Sequence, residues 1–223
     1  MAEPSIVVVE NCPHCQKAPA LCVCESIQQL AARHHVLILQ HPQEPDHDLG
    51  SARIAHLSLP NSTLKVGLSW PNLKTALGKE AVNSRWAVLY LGSGIKAPTA
   101  GKKTGLIFVD KKGIPLEAAP TPKDLDGIVV IDGTWSQAKA LWWRNAWLLK
   151  LKRAILIPSQ PSLYKELRRE PRKECLSTIE TVADALEILG APPATANGLR
   201  GTFKVLLDKR RAQLKEARAA RKS

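Results

Sequence analysis

No stretch of this chain is long and apolar enough to span a bilayer as a helix, so a membrane anchor of that kind is not expected. The first residues carry neither a basic start nor a signal-peptide cleavage pattern, which points to a cytoplasmic setting. There is no Gly-x-Gly-x-x-Gly fingerprint and no phosphate-binding lysine motif, which argues against a dinucleotide fold and a P-loop. No internal repeat is visible, so a solenoid is not expected. Acidic residues are also in short supply. Asp and Glu number 20 against 32 Lys and Arg, a formal net charge of +12 that calls for a polyanionic partner.

Half of that excess is local: residues 204–223 hold eight basic and two acidic side chains, a net of +6. A solvated basic helix would account for it. A nucleic acid is the better match than a membrane surface, because Lys215–Ser223 offers almost no large apolar residue to insert. With 223 residues, 44% hydrophobic and 23% charged, the chain has enough material for one α/β domain with a sizeable core and a small appendage. The expected division is a cysteine-rich module over 1–30, a catalytic domain over 31–192 and a basic C-terminal helix over 193–223. The sequence carries no signal for oligomeric state.

Four of the five cysteines, Cys12, Cys15, Cys22 and Cys24, fall within thirteen positions. In a reducing compartment such a cluster reads as metal ligation before disulfides. Cys12 and Cys15 form a thiolate knuckle, and Cys22 and Cys24 can complete a tetrahedral site for structural zinc, with His14 able to replace one thiolate. A redox Cys-x-x-Cys pair is the alternative.

Apolar runs without alternation suit strands buried on both faces, as in a parallel sheet. Val36–Gln40, Leu64–Ser69, Trp86–Leu91, Leu106–Asp110, Ile128–Ile131 and Ala154–Ile157 are the candidates. Helices are expected near Leu49–Leu57, capped by Asp48, and near Asn72–Ala81. The prolines at 42 and 45 make 41–47 a loop in which His41, Glu44 and His47 form no recognisable ligand pattern. Gly92 and Ser93 follow the third run, where small residues allow a ligand close to the backbone. After Ile131 the run stops at Asp132, Gly133 breaks it, and Thr134 with Gln137 forms a capping box for a helix to about Lys150. Asp132 thus stands at the carboxyl end of a buried strand, where open α/β sheets hold their ligands. A turn carboxylate of no chemical use would look the same. Trp142, Trp143 and Trp147 recur as core residues of the following helix.

The long segment 158–173 mixes an aromatic with basic residues, a pattern for phosphate contact and base stacking. Ser177 and Glu180 form a second capping box, opening a helix to about Leu189. After Pro192 and Pro193 a last helix turns Leu199, Phe203, Leu206 and Leu207 toward the body.

Asp132-Gly-Thr134-Trp135 resembles the signature of the DTW-domain family. His41-Pro-Gln-Glu44 with Ser51-Ala-Arg53, Ser162 through Arg169, Ser177-Thr178-Ile-Glu180 and the cysteine cluster are similar to further family segments, in the family's order, over about residues 12–190. The resemblance implies a tRNA-uridine aminocarboxypropyltransferase, which moves the 3-amino-3-carboxypropyl group of S-adenosylmethionine to uridine N3 and releases 5′-methylthioadenosine. It also implies a knotted, SPOUT-like fold. Asp132 is the candidate general base. Gly92, Ser93, Thr134, Trp135, Ser177, Thr178 and Glu180 become candidates for the cofactor pocket, with Glu180 toward the cofactor's amino group. Arg53, Tyr164, Arg168, Arg169, Arg172 and Lys173 become candidates for RNA contact. An RNA methyltransferase, an rRNA aminocarboxypropyltransferase and a non-catalytic RNA-binding protein are the competing readings.

Overall fold

The computed structural model describes residues 10–89, 105–167 and 176–221. Its strands are β1 (His35–Gln40), β2 (Ser62–Val66), β3 (Trp86–Leu89), β4 (Gly105–Val109), β5 (Gly127–Asp132) and β6 (Lys152–Ile157). Its helices are α1 (Ala52–Ser58), α2 (Leu73–Leu77), α3 (Trp135–Arg144), α4 (Thr178–Ile188) and α5 (Pro193–Ala220). The strands form one sheet in the order β2-β1-β5-β3-β6-β4, parallel throughout except for β4, which runs antiparallel to β6 at the edge. This is the expected mostly parallel α/β architecture. No helix among the described residues is long and apolar enough to cross a membrane.

Successive strand side chains point to opposite faces, and both faces are covered. Val36, Ile38, Ile128 and Val130 pack on the side that carries α1, α4 and α5. Leu37, Leu39, Val88 and Val129 pack on the other side, against α2 and the Trp147–Leu148 turn. Burial of each such side chain contributes roughly 1.5–3 kcal/mol, which explains why these strands tolerate no alternation. Gly127 opens β5 because a Cβ there would stand 2.5 Å from the His35 carbonyl and 2.6 Å from the Trp86 ring.

Cys15, Leu21, Val23 and Leu30 share the first of these cores with α4 and α5. Residues 10–30 are therefore fastened to the body, with Thr202 Oγ1 donating to the Ser26 carbonyl at 2.8 Å and Lys209 Nζ to the Cys22 carbonyl at 2.5 Å. Helix α5 is held against α4 by Arg200, which pairs with Asp184 and, at 2.8 Å, with Glu187.

Three expected helices are shorter than their sequence patterns: α1 starts at Ala52, with Ser51 rather than Asp48 in the capping position, and α2 ends at Leu77, where Gly78 takes φ +75°. Helix α3 stops at Arg144 because the buried Asn145 amide turns back, donating to the carbonyls of Leu141 at 2.7 Å and Leu68 at 3.0 Å. A 3₁₀ turn, Ala146–Lys150, follows. Past the break Trp147 is buried; within α3 itself Trp142 is half-buried under the Arg153 guanidinium, while Trp143, one position on, is 76% exposed to solvent rather than core.

Candidate active site at the carboxyl edge

The chain leaves β1 through α1 toward β2 and leaves β5 through α3 toward β6, so the two connections diverge between adjacent strands. That divergence is a topological switch point, the place where an open α/β sheet forms a crevice. Gln40 and Asp132 are register partners there, the last residues of β1 and β5.

Asp132 is buried, 8% exposed. Gln40 Nε2 donates to its Oδ2 at 2.8 Å, and the Thr178 hydroxyl donates to its Oδ1. The backbone amide of His41 donates to the Asp132 carbonyl at 3.0 Å. Each carboxylate oxygen is thus gripped once, fixing the orientation and leaving further lone pairs for another donor. Two helix N-termini meet beside it: Thr134, two residues on, caps α3, and Thr178 is the first residue of α4. Both ends carry partial positive charge and favour an anion at this spot.

Both expected capping boxes form. The Thr134 amide donates to Gln137 Oε1 at 2.6 Å, while the Gln137 amide donates to Thr134 Oγ1 at 3.4 Å. Ser177 Oγ accepts from the Glu180 amide at 3.3 Å, and Glu180 Oε2 accepts from the Ser177 amide at 3.0 Å. Glu180 does more than cap. Its carboxylate also accepts from Ser162 Oγ at 2.9 Å, Leu163 N at 2.7 Å and Ser177 Oγ at 2.6 Å. Those bonds commit it to pinning the 162–164 turn onto α4, so the expectation that Glu180 meets an amino group gives way. Trp135 begins α3 half-buried beside the Asp132 turn.

Tyr164 also corrects its expectation. It is 2% exposed, its ring stands edge-on to Phe203 at 5.2 Å, and its hydroxyl donates to the Leu49 carbonyl at 3.2 Å. It is a core residue here and presents no face to a base. Arg53 donates through Nε to the His14 carbonyl at 2.8 Å, tying α1 to the cysteine turn. Gly92, Ser93, Arg168, Arg169, Arg172 and Lys173 lie outside the described residues.

Sequence reasoning assigned no role to three residues at this edge. Gln40 closed an apolar run and signalled only a strand end. Ser51 Oγ accepts from the Ile179 amide at 3.1 Å, joining the start of α1 to α4. Lys17 sat unremarked beside the cysteines, yet it is 4% exposed and donates to the His47 carbonyl at 2.6 Å. Burial pushes its ammonium down from the ordinary lysine range, and the charges of Asp48, Cys15 and Asp132 oppose that shift.

At the N-terminus the four expected sulfurs converge, all within 4.8 Å of one another. Cys12 and Cys24 are 3.5 Å apart, Cys15 and Cys22 3.7 Å, close to the edge of about 3.8 Å that a tetrahedron with bonds of about 2.3 Å requires. The Cys12 thiol is held down to about 6 by the backbone amides of Cys15 and His14, whereas burial and the neighbouring sulfurs push Cys24 up to about 12. Four thiolates at this spacing need a cation among them, so the donor set fits a metal ion. All four places are filled by protein, leaving no open position for a substrate.

A buried carboxylate fixed at the switch point of a parallel sheet, between two helix N-termini, stands where α/β proteins of this order form their ligand crevice. Residues 9–211 match the DTW domain, and the chain belongs to that family. Its relatives include the tRNA-uridine aminocarboxypropyltransferase 2 of Drosophila melanogaster, 28% identical over 82% of this chain and 68% of its own length. Proteins of the same name from Mus musculus and Macaca fascicularis are 28% and 29% identical over 80% of this chain. The chain spans 56% of the length of each of these two, a little over half. No solved structure matches.

Proposed function

We propose that this protein transfers the 3-amino-3-carboxypropyl group of S-adenosylmethionine to N3 of a uridine in tRNA, releasing 5′-methylthioadenosine. The observation that carries the reading is the placement of Asp132 within the family's signature, buried at the switch point with both oxygens fixed. Kinship to relatives named for this reaction and the basic excess of the chain support tRNA as substrate. The parallel order about β1 and β5 suits the SPOUT-like kinship.

Uridine N3 is a poor nucleophile while it carries its proton. Asp132 accepts that proton, and Gln40 and Thr178 keep the accepting oxygens aimed as it arrives. The freed N3 pair forms the N–C bond to the aminocarboxypropyl γ-carbon as the C–S bond breaks. S-adenosylmethionine, when bound, supplies a sulfonium whose sulfur takes that bonding pair and departs as a neutral thioether. The protein's task is then alignment, since selecting the γ-carbon over the methyl is a question of which carbon faces N3. Trp135 and Thr178 stand where they can line that approach. Thr134, Ser177 and Glu180 hold the two helix starts that frame it, and we assign Gly92 and Ser93, outside the described residues, to the cofactor as well. We assign Arg53, Arg168, Arg169, Arg172 and Lys173 to the RNA side, and structural zinc to Cys12, Cys15, Cys22 and Cys24.

Nucleoside mass spectrometry of unmodified tRNA incubated with protein and S-adenosylmethionine tests this directly. A uridine heavier by one aminocarboxypropyl group is expected. A methylated nucleoside would overturn the reaction, and product from Asp132→Asn at the wild-type rate would overturn the base.

A further inference from the structure

Glu44 stands four residues after Gln40, on the turn that leaves β1 at the same edge as Asp132. It is 4% exposed, and its Oε1 is shut off from solvent with no hydrogen-bond partner among the described residues. A buried acceptor left without a donor is costly, and such groups persist where a ligand completes them. Against the same turn lies the opposite charge, brought there from the cysteine segment. The Lys17 ammonium, also 4% exposed, is held by the His47 carbonyl at 2.6 Å, while the His47 amide donates to the Glu44 carbonyl at 3.1 Å. Space between the backbone and these groups is narrow: a Cβ on Gly50 would meet the Glu44 carbonyl at 3.2 Å and Lys17 Nζ at 3.4 Å. Among the described residues the Lys17 ammonium has no carboxylate, and the Glu44 carboxylate no cation, within ion-pair distance.

An anion with an unaddressed oxygen and a cation with no carboxylate within ion-pair distance, both nine-tenths buried, are what a zwitterion completes. We propose that Glu44 and Lys17 form the subsite for the α-amino-acid end of the donor, Glu44 taking its ammonium and Lys17 its carboxylate. The proposal rests on S-adenosylmethionine being the donor. It also supplies a reason why the aminocarboxypropyl arm, rather than the methyl, is the group held in place. Glu180, saturated by its own turn, leaves this role open.

Calorimetric titration of the full chain tests the subsite without reference to turnover. Glu44→Gln keeps the shape and removes the charge, and should weaken S-adenosylmethionine binding about 10- to 100-fold. Binding of 5′-methylthioadenosine, which lacks the amino-acid end, should be unchanged. Lys17→Met should weaken S-adenosylmethionine similarly while sparing its decarboxylated analogue. On the wild-type chain, the deaminated analogue should lose the same factor as Glu44→Gln, a comparison that needs no variant to fold. Wild-type affinity of Glu44→Gln for S-adenosylmethionine, or an equal loss for 5′-methylthioadenosine, would overturn the subsite. A wild-type chain that binds neither molecule would overturn the donor itself.

Discussion

Two buried glutamates, at the start of α4 and on the turn after β1, are equally hidden from water and are treated in opposite ways. Both are 4% exposed. Glu180 accepts from Ser162, Leu163 and Ser177, so both of its oxygens are addressed. Glu44 has an oxygen that nothing among the described residues addresses. A saturated polar cluster returns its desolvation cost as rigidity of the fold; an unsaturated one returns it only when something binds. Perturbing the first kind should therefore read out in stability, and perturbing the second in ligand affinity.

The largest effect expected lies in a cluster of the second kind. The four sulfurs converge on a common centre at the spacing that suits a cation, and Cys15 is fully buried against the core. Cys15→Ala, or prolonged chelation of the wild type, should release the metal and cost several kcal/mol, because metal binding is coupled to the order of its ligands. The loss should spread to α5, which packs on Leu21 and Val23. Elemental analysis with thermal melting measures both. Full metal loss with an unchanged melting temperature would break the comparison.

Next comes the direct contrast. Glu180→Ala strands two backbone amides and two hydroxyl groups, and should cost about 3 kcal/mol or more. Glu44→Ala removes a carboxylate whose Oε1 has no donor and should stay within about 1 kcal/mol of the wild type. Denaturant melts of the two variants side by side decide it, and equal losses would mean that Glu44 is as structural as Glu180.

These contrasts mark what the sequence could say. The sheet was legible because strands buried on both faces must read as unbroken apolar runs, and both capping boxes were legible because their partners lie three residues apart. Asp132 was legible as the end of such a run. What escaped was long-range or out of phase. Tyr164 sits in a basic segment that resembles an RNA loop, yet its hydroxyl finds a carbonyl 115 positions earlier. Trp143 read as core because it stands between Trp142 and Trp147, yet one position past Trp142 turns it to the solvent side of α3. Glu44 stood out as a poor metal ligand and as part of a family-like segment, but its empty oxygen has no counterpart in any local pattern.

A smaller effect sharpens the assignment of Tyr164 to the saturated class. Tyr164→Phe keeps the ring against Phe203 and deletes only the bond to Leu49, so about 1 kcal/mol of stability should go. Affinity for tRNA should not move. A loss of RNA binding without a loss of stability would return Tyr164 to the interface.

The smallest effect concerns the opposite end of β1. His35 is hydrogen-bonded to Asn61 at 2.7 Å and Thr63 at 2.9 Å, with Lys79 Nζ 3.1 Å from its ring. Burial lowers its proton affinity; the charges of Lys79 and His56 lower it further, against the pull of Asn61. The sign follows from linkage: the unfolded chain takes up the proton near pH 6.5 while the folded chain still refuses it, so stability present above that pH drains away as pH falls below it. Melting temperatures at about pH 7.5 and about pH 5.5 should drop further for the wild type than for His35→Gln, by a margin of about 2 °C or less. A steeper drop in the variant would mean that the folded state welcomes the proton, and that the amino end of β1 belongs with the unsaturated clusters after all.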